Sequence, residues 1–372
     1  MWPKTVIPLV SKLGIRLPII QAPMAGGPTT PELVAAVANA GALGSIGAGY
    51  MTPEAIRKAI QDTHKLTPHN FSINLFVPQP ADNSPQRIAQ ANQLLQPYRT
   101  ELGLPIPAVP AQIDAEAAYR KQLDVILEEQ VPIISFAFGF PDAKTIQVLK
   151  ERGVIILGTA TTVDEAIYLE KNGCNLIVAQ GSEAGGHRGT FLGSFQSSLI
   201  GTMALVPQIV DKVKVPVIAA GGIMDGRGLV AACALGAAGV QMGTAFLTCK
   251  ESGAHPAYKD AILNSTEANI VLTTVFSGKP ARGIENKFIQ EMTPHAAELP
   301  GYPIQHVLTQ PIRQEAAKQN RSEFMSLWAG QGTRLSRVLS AEDLIQQIVA
   351  EARKTFSEML ASAQNSAAEN KF

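Results

Sequence analysis

Between residues 180 and 190 the sequence sets four glycines beside an amide, a carboxylate, an imidazole and a guanidinium: Gln180-Gly181-Ser182-Glu183-Ala184-Gly185-Gly186-His187-Arg188-Gly189-Thr190. Glycines at this density let backbone N–H groups approach a ligand that a Cβ would hold off. An imidazole near its solution pKa can give or take a proton at neutral pH. His187 is therefore the candidate catalytic and substrate-binding residue. Its alternative is a packed structural histidine, but a glycine-rich loop offers such a ring few partners. Glu183 and Arg188 are expected only to pair with each other or to face solvent.

Four other short stretches could join it: Ala22-Pro23-Met24, Asn74, Ala220-Gly221-Gly222 and Gln241-Met242-Gly243-Thr244. The glycines of the last two either make tight turns or form a phosphate cup from backbone N–H groups, and occurring together they favour phosphate. Asn74, Gln180 and Gln241 are amides that suit a flat heterocycle with alternating donors and acceptors, such as a flavin ring, although each could instead satisfy nearby backbone. Met24 is either core packing or a ring contact. With Gly185 these residues form the candidate cofactor site. His64, His69, His255, His295 and His306 share no metal-ligand spacing, and His64 and His69 are assigned to the surface. No metal is expected.

The elements that would position these residues follow a repeating pattern. Short apolar strands are predicted at 17–21, 43–46, 71–76, 133–138, 154–157, 176–179, 215–220 and 240–242, alternating with helices. Thr30-Pro31 and Thr52-Pro53 read as a cap followed by a first helical position, while Gly41, Gly153 and Gly173 sit where helices end. Eight such units indicate an α/β fold, a TIM (β/α)8 barrel, whose site lies at the C-terminal ends of the strands. A doubly wound open sheet is the rival. It is disfavoured because the glycine-rich stretch 41–49 lacks the G-x-G-x-x-G spacing, and no P-loop is present.

Two stretches break the pattern. Residues 77–113 carry seven prolines and read as a long decorated loop; residues 250–310 read as a small inserted substrate-side subdomain with its best strand at 271–276. The barrel would then comprise 1–249 and 311–372, with a C-terminal helix from 341 to about 363 and a frayed polar tail.

Composition narrows the partners. Lys plus Arg and Asp plus Glu both number 31, so no basic field is available to hold nucleic acid or an anionic membrane, and a small molecule is the expected partner. Cys174, Cys233 and Cys249 are odd in number and lack a C-x-x-C pair, which fits a reducing compartment. The first fifteen residues have no uninterrupted apolar core, and no run of eighteen apolar residues follows. A cytoplasmic protein, monomer or homodimer, is expected.

These motifs together resemble the class I nitronate monooxygenases, the group formerly called 2-nitropropane dioxygenases. The resemblance spans about residues 17–332. It rests on Gln21-Ala22-Pro23-Met24-Ala25-Gly26-Gly27, on the Glu-Ala-Gly-Gly-His-Arg-Gly-Thr core of the loop, on Ala220-Gly221-Gly222-Ile223-Met224-Asp225-Gly226 and on Gln241-Met242-Gly243-Thr244. Pro280-Ala281-Arg282-Gly283, Tyr302-Pro303-Ile304-Gln305 and Trp328-Ala329-Gly330-Gln331-Gly332 are similar too. It implies FMN bound in the barrel, oxidation of alkyl nitronates such as propionate 3-nitronate by O2 to a carbonyl compound and nitrite, and no need for nicotinamide. His187 takes the place of the family's active-site histidine. There it would attract the anion as imidazolium or remove an α-proton as a neutral base. Tyr302 falls where the family places an aromatic residue by the substrate. His306 and Gln310 depart from the aromatic or polar residue and the lysine expected at those positions, which touches anion selectivity. The alternatives are an FMN-dependent enoyl-acyl-carrier-protein reductase or NAD(P)H:quinone reductase on the same barrel, and a flavin-binding sensor without turnover.

Overall fold

The computed structural model describes residues 2–80, 84–105 and 114–369. Its strands in chain order are β1 (Ile19–Gln21), β2 (Ser45–Gly47), β3 (Ser72–Phe76), β4 (Ile133–Ala137), β5 (Ile155–Ala160), β6 (Leu176–Gln180), β7 (Gly186–His187), β8 (Val217–Ala220), β9 (Gly239–Met242), β10 (Ile270–Thr273) and β11 (Ala281–Ile284). Eight of these pair in parallel in the order β1-β9-β8-β6-β5-β4-β3-β2. Between β2 and β1 the ring closes through a parallel bridge of Ile20 with Leu43, where Gln21 N donates to Leu43 O at 2.9 Å and Leu43 N to Ile19 O at 3.0 Å. The Gln21 side chain reinforces the seam by accepting from Ser45 N at 3.0 Å. All eight predicted strands are present and make a (β/α)8 barrel.

The sequence dictates this locally. Side chains on both faces of the strands are buried, as in a sheet covered inside and out. Thr30, Thr52, Asp142, Thr162 and Asp225 each cap a following helix by accepting a first-turn N–H. Gly41, Gly153 and Gly173 adopt φ of +94°, +70° and +96° just past helix ends, the left-handed conformation in which glycine avoids a Cβ clash.

The irregular stretches differ from expectation. Within 77–113 lies a helix, Pro85–Glu101, where a loop was expected, while residues 81–83 and 106–113 lie outside the described residues. Its weak amphipathic pattern and internal Pro97 hide it, since its partner is one small patch and not the barrel. Another helix, Ala115–Glu128, had not been anticipated. The strand predicted at 271–276 is the shorter β10. The C-terminal helix runs Ala341–Glu369, beyond its expected end, and residues 370–372 of the predicted tail lie outside the described residues.

Within the inserted stretch, β10 pairs antiparallel with β11, and β11 pairs in turn with β7, setting Ala281 opposite His187 and Arg282 opposite Gly186. A second apolar core forms here, apart from those of the barrel. In it Phe276 stacks on Phe288 at 4.5 Å, and Tyr98 from helix Pro85–Glu101 packs on Phe288 at 4.8 Å. Helix Ile304–Lys318 joins the same core. The buried Arg99 ties the two helices together, donating to Asn92 Oδ1 at 3.0 Å and to Leu308 O at 3.3 Å. Among the described residues no helix is long and apolar enough to cross a membrane.

Candidate active site

A cavity of about 440 Å³ opens at the C-terminal ends of the barrel strands, a size ordinary for a small-molecule or cofactor site. Its wall includes Ala22, Pro23, Met24, Asn74, Gln180, Gly185, His187, Gly221, Gly222, Gln241, Gly243 and Thr244. Of the residues singled out in the sequence, Met242 and Tyr302 are not in that wall. Met242 is buried in the barrel core, and Tyr302 neighbours His187 with ring centroids 6.2 Å apart.

Two parts of the wall differ in character. At the ends of β8 and β9, Gly221 and Gly222 take φ of +117° and +69°, and Gly243 precedes Thr244 at the start of a short helix. The backbone N–H groups of Gly222, Gly243 and Thr244 find no acceptor among the described residues, so they are free for a ligand. Asn74 Nδ2 is bound to Ser135 O at 3.1 Å and Ser135 Oγ at 2.9 Å, which leaves its Oδ1 as an acceptor on the cavity side. The Gln241 amide has no hydrogen bond among the described residues and presents both a donor and an acceptor to the cavity.

Gln180 behaves otherwise. Its Nε2 donates to His187 O at 3.0 Å, and its Oε1 accepts from Gly189 N at 2.8 Å and from Arg188 Nη1 at 3.2 Å. Most of the amide is thus spent on folding the histidine loop, with one N–H left over.

Contrary to expectation, Arg188 and Glu183 do not pair with each other, and Arg188 is buried while Glu183 is half-buried. Arg188 is buried, donating to Gly181 O at 2.7 Å and to Ser198 O at 2.8 Å, and burial lowers its pKa to about 10, which leaves it charged at neutral pH. Glu183 instead accepts from Thr202 N and Thr202 Oγ1 at the start of helix Thr202–Val210. The nearby carboxylate of Glu165, fully buried, accepts from Thr161 N, Phe191 N and Leu192 N at 2.6, 2.6 and 2.9 Å. The loop is held by buried ionic groups bonded to backbone, and an exposed-pair rule cannot anticipate them.

His187 is fixed from the inserted sheet. Its Nε2 lies 2.8 Å from Ser277 Oγ, and Ser277 Oγ donates to Lys279 O at 3.0 Å. With the single hydroxyl hydrogen committed to that carbonyl, Nε2 carries the imidazole proton and Nδ1 is the bare nitrogen. Phe138, Trp328 and Tyr302 surround the ring at 5.8, 5.3 and 6.2 Å. Burial pushes the His187 pKa down to about 3, and the positive charges of Lys279 and Arg313 push in the same direction. The imidazole is therefore neutral at pH 7. Without an anion beside it the ring is a neutral, weak base with a fixed donor; an anion bound there would act in the opposite direction and favour its protonation.

Sequence reasoning missed several groups. Phe138, at the end of β4, holds a φ of +69° that costs a non-glycine residue energy, and its ring stacks on Phe76 at 4.5 Å in the cavity wall. The adjoining Phe138-Gly139 pair was its only local signal. Lys279 Nζ lies 4.6 Å from the centre of the Phe138 ring. Tyr50 stacks on His306 at 4.2 Å, and Arg313 Nη2 donates to His306 O at 2.9 Å. Gln310 also reaches the wall, and His255 lines it while capping helix Pro256–Asn264. Among the described residues no cluster of His, Cys, Asp or Glu could hold a metal ion, and the three cysteines are buried and free.

A family model described as nitronate monooxygenase matches residues 8–351. Similar proteins include a probable nitronate monooxygenase of Staphylococcus saprophyticus, 48% identical over 344 residues that cover 92% of this chain and 96% of that protein. Another, from Staphylococcus aureus, is 49% identical over 350 residues, covering 94% of this chain and 97% of its own. Among solved structures, a nitroalkane oxidase from Streptomyces ansochromogenes superimposes with a TM-score of 0.88 at 38% identity, covering 95% of this chain and 99% of that one. FabK from Thermotoga maritima gives a TM-score of 0.75 at 31% identity, with 95% and 98% covered.

Proposed function

This chain belongs to the nitronate monooxygenase family of oxidoreductases, and on that premise we propose that it binds FMN and oxidises alkyl nitronates, such as propionate 3-nitronate, with O2 to a carbonyl compound and nitrite. The observation that carries this reading is a cavity holding two complementary parts: free backbone N–H groups and amides on the barrel side, and a neutral histidine among aromatic rings and cations on the inserted side.

The residues fit FMN. Gly222, Gly243 and Thr244 would receive the phosphate through their open N–H groups, aided by Gly221, whose positive φ turns the chain beneath them. Asn74 Oδ1 and the Gln241 amide would meet the polar edge of the ring, with the remaining Gln180 N–H beside them. Ala22, Pro23 and Met24 would face the ring system, and Gly185 would keep the backbone close to it. Gly185 has a second reason to be glycine, since a Cβ there would meet Ala329 C and Gly330 N at 2.5 Å. Met242 contributes through the chain it positions, as Ala22 N donates to Met242 O at 2.8 Å. Bound FMN would supply the electron acceptor that allows O2 to complete the oxidation.

The chain's own residues prepare the substrate. His187 would orient the nitronate, with Ser277 fixing the imidazole tautomer, and the Tyr302 phenol would close the site beside it. Burial and the nearby cations lower the basicity of His187, which supports the preformed anion as the substrate over the neutral nitroalkane. The residues 250–310 then form the substrate-side unit of the enzyme. Zero net charge and reduced cysteines support small-molecule work in the cytoplasm.

An aerobic assay tests this directly. Preformed propionate 3-nitronate should release nitrite with no nicotinamide present. Rapid flavin reduction by NADH or NADPH with no nitrite formed would instead assign the chain to the reductase chemistry suggested by its likeness to FabK.

A further inference from the structure

Arg313 is the charge in the cavity that the scheme above does not use. It lies on helix Ile304–Lys318 and lines the cavity with His306, Gln310 and Gln314. Its Nη2 donates to His306 O at 2.9 Å and lies 3.3 Å from His306 Nδ1, and its Nε lies 3.3 Å from Thr309 Oγ1. All these partners are neutral, and Nη1 has none among the described residues. Arg313 forms no ion pair there, and no Asp or Glu lines the cavity. Burial lowers its pKa only to about 10, so it remains a guanidinium at neutral pH. A half-buried, charged and forked donor in a cavity wall without a counter-ion is an open receptor for a ligand's anion.

We propose that Arg313 binds a carboxylate carried on the tail of the substrate, so that the enzyme selects nitronates bearing a second negative charge over simple alkyl nitronates; this rests on the nitronate reading above. Two other anions compete for the role. The FMN phosphate has its own receptor in the N–H groups at the ends of β8 and β9, and Arg313 contacts neither Gly222, Gly243 nor Thr244. The nitronate group itself is disfavoured because oxidation removes its negative charge, and a guanidinium on its oxygens would hold the electron back. A neutral His187 avoids that penalty, while Arg313 lies beyond it across Tyr302 and His306, whose rings are 6.2 Å apart. The planar fork of the guanidinium matches a carboxylate with two parallel hydrogen bonds.

The experiment compares kcat/KM for propionate 3-nitronate and for ethyl nitronate in the FMN-loaded enzyme and in Arg313→Gln and Arg313→Lys. The ratio between the two substrates should fall roughly 10- to 100-fold in Arg313→Gln, chiefly through KM, with FMN content retained and partial recovery in Arg313→Lys. On the unaltered enzyme propionate should compete with the substrate and propionamide should not, an arm that survives if a variant fails to fold. Equal losses on both nitronates, a loss of FMN without a change in the ratio, or equal inhibition by propionate and propionamide would overturn the assignment. Turnover of ethyl nitronate with no preference for the carboxylated substrate sinks this inference alone; absence of turnover with either sinks the nitronate reading beneath it.

Discussion

The two halves of the cavity wall solve different problems with different materials. The barrel side, at β3, β8 and β9, offers glycines, open N–H groups and amides and carries no titratable group among Asn74, Gly221, Gly222, Gln241, Gly243 and Thr244. The opposite side offers His187, His306 and Arg313, with Tyr302 and Lys279 next to them outside the wall, all with pKa values displaced by burial. One side is built to hold a permanently polar ligand without changing state. The other is kept dry so that charge and proton positions matter, as low-dielectric sites require. Cofactor retention and substrate chemistry should therefore separate under mutation.

The largest separation is predicted at His187. His187→Asn should lower nitronate turnover by about 100-fold or more while leaving the flavin content on purification unchanged. Equal kinetics in the variant, or loss of flavin, would break the division. On the barrel side, Gly222→Ala forces a Cβ onto a φ of +69°, with Glu183 Cβ only 3.3 Å away. FMN affinity should weaken by about tenfold with a smaller effect on the chemical step of the loaded fraction, as measured by fluorescence titration of released flavin.

Between the halves lies the buried brace Arg188. Arg188→Met would remove the guanidinium donors from the carbonyls of Gly181 and Ser198, leaving them only Ala184 N and Ile200 N, and should cost about 3 kcal/mol, seen in chemical denaturation. By contrast, Arg57, which pairs on the surface with Glu128 and Glu129, should tolerate Arg57→Ala without a measurable change in Tm.

Acid stability offers a finer test of the dry side. The folded pKa values of His187 and His306 are depressed to about 3 and about 2 from 6.5, so above pH 6.5 both states of the protein hold the rings neutral. As the pH falls below 6.5 the unfolded chain takes up protons that the folded protein refuses, and stability declines progressively toward pH 3. His187→Gln should flatten that decline over pH 4–6.5 in thermal melts. An unchanged slope would mean that the imidazole is not held neutral.

How much of this could be read from residues depended on how local the cause was. The eight strands and their order along the barrel were legible, because continuous apolar runs and caps such as Thr30-Pro31 and Gly153 act within a few residues. The glycines and amides of the barrel-side wall were legible for the same reason, as they stand at strand ends. The surroundings of His187 were not. His187 becomes part of a strand only by pairing with Ala281, and its tautomer is set by Ser277, which no nearby spacing announces. Arg188 resembled a surface charge and proved a buried one, because its partners are carbonyls brought together by the fold. Helix Pro85–Glu101 was hidden by prolines, although it packs against the helix that carries His306 and Arg313.

The most direct measurement is anaerobic mixing of the FMN-loaded enzyme with preformed propionate 3-nitronate, followed by the visible flavin spectrum. Loss of the oxidised-flavin absorbance before any oxygen is admitted, followed by its return and release of nitrite on aeration, is the predicted result. A spectrum that stays oxidised under nitronate yet bleaches on NADH would contradict it.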